Sequence, residues 1–257
     1  MITLTTDFGY HDPYVAEMKG VIFTINPEAK IVDVTHGVEK FDVRMGALML
    51  ASASPYFPKG TTHLAVVDPG VGTSRRAILI ETKDGIMTGP DNGILMLAAQ
   101  NQGIKRVFQL VNHKFMLAKV SATFHGRDIF APVAAFLDKG VVPEEFGPEI
   151  TDPTTPSYAT VEWKGEALNG EVLHIDGFGN IITNINEKYV PGSGILKVTL
   201  PNTTLQLAFV QTYAEAKPKE SLALMGSHGF LEIALNQGSA AETFGAKIGD
   251  AVKVAHA

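Results

Sequence analysis

No cysteine occurs in the 257 residues. That absence removes disulfides, thiolate nucleophiles, Cys-ligated zinc and iron–sulfur clusters together, so any catalysis must rest on oxygen and nitrogen groups. A surplus of positive charge is missing too. With 21 Lys+Arg against 27 Asp+Glu the formal net charge is -6, the wrong sign for a general polyanion binder, and nucleic acid is not expected as a partner. No apolar run reaches the length of a membrane span, and the opening residues MITLTTDFGYHD combine no basic start with an apolar stretch. The expectation is a soluble, cytoplasmic protein without a membrane partner. Histidine pairs at helical ligand spacing and a His-Glu-x-x-His motif are absent as well, so nothing supports a metal site.

What is present is an ordinary globular composition, 45% hydrophobic and 19% charged, with ample apolar surface to set against chain entropy. From Met1 to about Gly147, short β-rich runs alternate with stretches of helical period, the pattern of a parallel sheet flanked by helices. The runs 2–6, 30–34, 63–67, 77–81 and 106–111 read as strands. A first helix is expected to start at Asp12-Pro13, a capping residue followed by proline, and to stop at Asn26-Pro27. A second should run from Asp42 toward Ser54, a third should follow Asn92, and a fourth should occupy roughly 128–139, with Pro132 barring a much earlier start. Residues 148–160, PEITDPTTPSYAT, concentrate Pro, Thr and Asp with no apolar period. The chain therefore divides into an α/β domain over 1–155 and a β-rich domain over 156–257, the latter read as a small sheet or barrel from strand-like runs at 160–163, 171–175, 195–200 and 251–254.

In open α/β sheets, ligands bind beyond the carboxyl ends of the strands. Three polar residues fall there: Asp7 in TTDFGY, Asp68 in VVDPGVGTSRR, and His125 in TFHGRD just before the fourth helix. Taken singly, each has a plain reading. Asp-Phe-Gly and Asp-Pro-Gly are turn chemistry, His125 a loop histidine, and Arg127-Asp128 a surface ion pair. A carboxylate, the arginine Arg75 and an imidazole all expected at one rim of one sheet point instead to a site. GVGTSR lacks the ending of a phosphate-binding loop, and Asp7-Phe8-Gly9 lacks every companion of the kinase magnesium motif. In the second domain, IDGFGNIITNI places Asp176, Phe178 and Asn180 on a glycine-rich turn, with a hairpin as the plain alternative. MGSHGFLEIALNQ sets Ser227 and His228 between two further β-like runs.

Read together and in order, TTDFG, VVDPGVGT with SRR, GPDNG, TFHGRD, DGFGN and GSHG resemble the S-adenosyl-L-methionine (SAM) hydroxide adenosyltransferase family, relatives of the SAM-dependent fluorinase and chlorinase. The resemblance covers nearly the whole chain. It implies an N-terminal Rossmann-like α/β domain, a C-terminal β-barrel, and a homotrimer in which each substrate site lies between one subunit's N-terminal domain and a neighbour's C-terminal domain. It further implies that Asp68, Arg75 and His125 form the catalytic set. Asp7 would bind the ribose hydroxyls, Asp176 the methionine ammonium, and Asn180 the adenine edge. Phe124 and Phe178 would line the pocket, Tyr213 would stack on adenine, and Ser227 would sit near the methionine carboxylate.

Where the fluorinase-like pattern has Phe-Tyr-Ser, this chain has Phe124-His125-Gly126, and Asp68 stands where the pattern has tyrosine. A carboxylate there repels halide and suits water. The expected reaction is therefore hydrolysis of SAM to adenosine and L-methionine by attack at the ribose 5′-carbon, with no cofactor besides the substrate itself. His125, with Arg75 and Asp68, is expected to orient the water and to accept or relay its proton, a nearby helix N-terminus favouring the neutral imidazole. The alternatives are a non-catalytic protein that binds an adenosyl ligand, and a halide-using adenosyltransferase.

Overall fold

Ile2–Thr6 is a short run of β-branched and apolar residues, and all five are buried. Burial of Thr3 and Thr5 as complete as that of Ile2 and Leu4 marks a central strand covered on both faces. In the computed structural model, which describes residues 1–190 and 194–256, this strand, β1, pairs in parallel with β2 (Ile31–Thr35) and β3 (Thr61–Val66). The sheet continues through β5 (Gly85–Pro90), β4 (Ala77–Thr82) and β6 (Ile104–Gln109), in the order β2-β1-β3-β5-β4-β6. It is mixed, not all-parallel as expected: β4 runs antiparallel to both β5 and β6. The unexpected strand is β5, whose sequence GIMTGP holds two glycines and a proline, residues depleted in strands.

Helix α1 (Tyr14–Ile25) buries Val15, Met18 and Ile22 and ends at Asn26. Its start differs from expectation, because Pro13 is the N-cap, in helical conformation, and no side chain caps it. Helix α2 (Val43–Ala53) does begin at a capping aspartate, Asp42 accepting the Met45 N–H. Helix α3 spans Met96–Gln102. Helix α4 (Ala131–Asp138) carries Pro132 in its first turn and is preceded by a π-helical turn over Gly126–Phe130. Helical conformation thus extends upstream of Pro132 further than expected, because the wider turn accommodates a residue with no N–H to donate. Helices α1 and α4 pack on each other and share one apolar core with Ile2, Leu4, Leu64, Leu79 and Phe130.

The chain forms two compact units, Met1–Pro156 and Ser157–Ala257. In the second, β8 (Ala167–Ile175), β9 (Ile181–Asn186), β10 (Gly194–Leu200), β11 (Thr203–Phe209), β12 (Ser221–Met225), β13 (Phe230–Leu235) and β14 (Ala251–His256) follow the order β14-β10-β11-β12-β13-β9-β8, and β14 pairs back to β8. The ring closes into a seven-stranded barrel, which removes free strand edges. A short strand, β7 (Glu162–Lys164), lies outside the ring on β8. Val172, Ile181, Ile185, Leu196, Val198, Leu231 and Val252 fill the interior. The one α-helix among the described residues of this unit, α5 (Ala240–Phe244), is a single short turn.

Candidate active site

The strand ends of the first unit bring three of the expected residues into contact. Asp68 follows β3, and the loop after it turns back through Val71 N–H to Asp68 O (3.2 Å) and Thr73 N–H to Gly70 O (3.1 Å). That return places Arg75 Nε 3.0 Å from both carboxylate oxygens of Asp68, with Nη2 on Oδ2 as well. The same Nη2 lies 2.7 Å from His125 Nδ1, and the guanidinium stacks over Phe130 at 5.4 Å. Bidentate, charge-assisted contacts of this kind fix geometry as well as charge. Both side chains are largely buried, 11% and 5% exposed for Arg75 and Asp68, so deleting either would leave its partner's charge uncompensated at a cost of about 3–5 kcal/mol. Gly72 holds the loop against the segment that leads to His125. At its φ of +77° an added Cβ would stand 2.3 Å from the Ala122 carbonyl oxygen, a place only glycine fits.

His125 is the N-cap residue of the π-helical turn, an irregularity frequent at functional sites. Asp128, one turn on, accepts the Ser121 N–H at 2.7 Å and Arg127 Nε at 2.6 Å. Asp128 is fully buried, so the Arg127-Asp128 pair, expected on the surface, joins a partly exposed arginine to a buried carboxylate and braces the loop carrying His125. Arg127 also reaches Glu17 at 2.8 Å and covers the Phe124 ring at 5.0 Å. Burial and then the Arg75 charge hold the His125 pKa below its ordinary value, with Asp68 and Asp128 acting in the opposite sense. The imidazole is neutral at pH 7.

Asp7 follows β1. Its Oδ2 accepts the Phe41 N–H at 3.0 Å and its carbonyl accepts from Lys40 Nζ at 2.7 Å. Asp7, Asp68, Phe124 and His125 line a single cleft of about 510 Å³, and Arg75 bonds two of these, Asp68 and His125. The cleft walls include four residues that the sequence reading missed: Tyr14, Glu17, Lys40 and Phe41. Phe41 adopts a left-handed φ of 67° while 66% exposed, an expense usually met at functional positions. No local pattern in VEKFDV marks it. Phe8, Tyr14 and Phe124 form an edge-to-face aromatic group, with centroids 5.1–5.8 Å apart.

In the second unit, DGFGN forms the β8–β9 hairpin turn. Asp176 Oδ1 accepts the N–H groups of Phe178 and Asn180 at 2.9 Å each, and Oδ2 accepts from Asn180 Nδ2 at 3.0 Å. Phe178 is 83% exposed. Gly179 has φ +82°, and a Cβ there would stand 2.2 Å from Ser239 Oγ. Tyr213 opens a helical turn closed by a Thr212/Glu215 capping box, and its phenol donates to Glu232. Glu232, absent from the expected set, is buried on β13. Burial pushes its pKa up, Asp176 adding to that effect while Tyr213 and His228 oppose it. Ser227 lies in the turn between β12 and β13, which is closed by Gly226 N–H to Phe230 O at 2.9 Å.

Among the described residues no three of His, Asp and Glu gather to hold a metal ion, and no helix is long and apolar enough to cross a membrane. A carboxylate, a guanidinium and an imidazole thus meet at the strand ends of an α/β sheet, beside an aromatic-walled cleft. Comparison with known proteins makes this particular. Residues 2–147 match the SAM hydroxide adenosyltransferase N-terminal domain and residues 170–253 the C-terminal domain of the same family. The (R)-S-adenosyl-L-methionine hydrolase of Salinispora tropica is 41% identical over 260 residues, covering 98% of this chain and 97% of that protein. A crystal structure of an uncharacterized conserved protein from Thermotoga maritima matches with a TM-score of 0.84 at 38% identity over 100% of both chains. The fluorinase of Actinopolyspora mzabensis is more distant, 28% identical over 289 residues, with 99% and 96% covered. The chain belongs to the SAM hydroxide adenosyltransferase family.

Proposed function

We propose that this protein is a SAM hydrolase, which cleaves SAM with water to adenosine and L-methionine. The observation that carries the reading is the Asp68–Arg75–His125 contact set beside the cleft, in a chain whose hydrolase relative is 41% identical across its whole length. The leaving group is already activated, since the sulfonium departs as a neutral thioether. The water is the difficulty. Free hydroxide at pH 7 would cost about 12 kcal/mol, from a water pKa of 15.7 at about 1.36 kcal/mol per unit. The site must therefore take the proton as the C–O bond forms, and hold the oxygen in line with the C–S bond.

The hydrogen bonds suggest how. A guanidinium only donates, so His125 Nδ1 accepts from Arg75. The flipped ring would set a C–H against that donor. The hydrogen of the neutral imidazole is therefore on Nε2, and the ring offers the cleft a donor. The carboxylate of Asp68, on the cleft wall, keeps lone pairs beyond those Arg75 occupies. In the mechanism we favour, Asp68 accepts the proton of the attacking water, Arg75 holds Asp68 and His125 in register, and His125 Nε2–H orients the water oxygen. The O–C5′ bond forms as C5′–S breaks, its electron pair passing to sulfur. This reassigns the proton from His125, its expected acceptor, to Asp68.

Asp7 holds the ribose hydroxyls and Phe124 walls the cleft. In the second unit, Asp176, Phe178, Asn180, Tyr213 and Ser227 recognise the adenine and methionine groups. The homotrimer, the cytoplasmic location and the absence of any further cofactor remain parts of this proposal, and light scattering of the purified protein tests the first. The reaction is tested by incubation with each sulfonium epimer of SAM in oxygen-18 water, with His125→Ala alongside. Labelled adenosine and unlabelled methionine from the wild type alone support hydrolysis at C5′. Retention of intact SAM would instead identify a binding protein.

A further inference from the structure

Behind the Asp7 turn runs a buried polar chain that the reaction does not use. Thr6 Oγ1 accepts the Phe8 N–H at 3.2 Å and lies 2.7 Å from His36 Nδ1. His36 Nε2 lies 3.2 Å from Asp33 Oδ1, and the other Asp33 oxygen accepts from Lys19 Nζ at 2.7 Å and from the Tyr10 hydroxyl at 3.1 Å. Thr6 and His36 are 0% and 1% exposed. The backbone ties the same two segments, Gly9 N–H donating to His36 O at 2.8 Å. Beyond His36 the second segment runs on to Lys40 and Phe41, which hold Asp7 from its other side.

The hydroxyl of Thr6 both donates and accepts, so its contact with His36 Nδ1 serves either imidazole tautomer. His36 Nε2 faces Asp33 Oδ1 at ion-pair distance, 3.2 Å, without hydrogen-bond geometry. Burial lowers the His36 pKa. Burial works against the charge of Asp33, yet Lys19 and His36 outweigh it and keep its pKa below the ordinary value.

We propose that His36, braced by Asp33 and acting through the Thr6 hydroxyl, is a positioning residue that fixes the Asp7 turn in its ligand-binding shape and so sets substrate affinity without touching the substrate. This rests on the reading that Asp7 binds the ribose hydroxyls. The test compares Thr6→Val, Thr6→Ser, His36→Phe and Asp33→Asn with the wild type, measuring kcat and KM for SAM, the Kd for adenosine by calorimetry, and Tm. Thr6→Val and His36→Phe should raise both KM and the adenosine Kd about tenfold, the equivalent of one buried hydrogen bond, with kcat within about twofold. Thr6→Ser should restore wild-type affinity, and Asp33→Asn should weaken it in the same direction by less. Affinities unchanged in Thr6→Val and His36→Phe, a kcat loss as large as the KM rise, or no rescue by serine would overturn the proposal. Should the wild type leave SAM intact yet bind adenosine, the hydrolase reading falls and the Kd series still decides the role of His36. Should it bind no adenosine, the role of Asp7 and this proposal fall together. If Thr6→Val and His36→Phe fail to fold, Asp33→Asn and Thr6→Ser carry the comparison.

Discussion

The two units present their polar residues in different ways. In the first, Asp68, Arg75 and His125 come from loops 50 or more residues apart at their extremes and are tied to each other across the fold. In the second, Asp176 spends its carboxylate on its own turn, on Phe178 and Asn180 within four residues. A cross-tied cluster at the end of a buried sheet holds reacting groups to a fraction of an ångström, which displacement chemistry needs. A hairpin turn with an exposed aromatic tip suits recognition, where a ligand can share hydrogen bonds that the turn already makes. With the proposed roles, the contrast puts the chemistry and the ribose contact of Asp7 in the α/β unit, and the recognition of the adenine and methionine groups in the barrel.

The sharpest way to break that division is to remove the cluster. Asp68→Ala or His125→Ala should lower kcat by about a hundredfold or more while KM moves by about threefold or less, the pattern of groups that accept the proton of the attacking water and orient it. Asp68→Ala should also cost stability, because it leaves Arg75 buried without its partner. Next in size, Asp176→Ala should raise KM about tenfold through loss of its turn hydrogen bonds and leave kcat nearly intact. Steady-state kinetics on SAM checks both.

A paired backbone substitution probes the same contrast. Gly72→Ala and Gly179→Ala both place a Cβ within 2.3 Å of a neighbour, Ala122 O and Ser239 Oγ respectively. The first meets a backbone carbonyl; behind Ser239 Oγ the second also meets Ser239 Cβ and Cα, at 2.6 and 2.9 Å. Both substitutions should destabilise by about 2–3 kcal/mol, Gly72→Ala with its kinetic effect in kcat and Gly179→Ala with its effect in KM, as denaturant melts and kinetics would show.

A further effect concerns pH and acts on stability alone. Burial of His63 on β3 lowers its pKa from 6.5 to about 4. The unfolded chain therefore binds more protons between those values, so stability is full above about pH 6.5 and is lost as pH falls toward 4. His36 and His125, both shifted down, act in the same sense. His63→Gln should flatten the acid limb of a Tm-against-pH curve, by an amount on the order of 1–3 kcal/mol at its full extent.

Much of the first unit could be read in the sequence because local signals agree there. Ile2–Thr6 is wholly β-branched and apolar, and Asp42 caps α2 as its position before an apolar periodic run requires. The strand β5 escaped because tertiary pairing with β3 and β4 overrides the poor strand propensity of GIMTGP. In the barrel, β9, β12 and β13 were read only as β-like runs or a hairpin arm without bounds, and β11 escaped because a short half-buried run such as TTLQLAF carries little period on its own. Asp68 and His125 were legible as polar residues after a strand or before a helix. Their grouping with Arg75 at one rim was legible too, whereas the direct contacts that Arg75 makes to both were not, since the loop's close approach at Gly72 and Ala122 is set by the tertiary fold. Phe41 and Glu232 left no local trace: one is defined by a backbone angle, the other by burial opposite a tyrosine distant in the chain.

The central proposal is that His125 of the α/β unit serves the chemical step and Asp176 of the barrel serves binding, and single-turnover hydrolysis at saturating SAM, run beside calorimetric SAM affinity on His125→Ala and Asp176→Ala, tests it most directly. The account predicts a first-order rate lowered about a hundredfold in His125→Ala with affinity within about threefold, and the reverse pattern in Asp176→Ala. Equal losses of rate and affinity in both variants would contradict it.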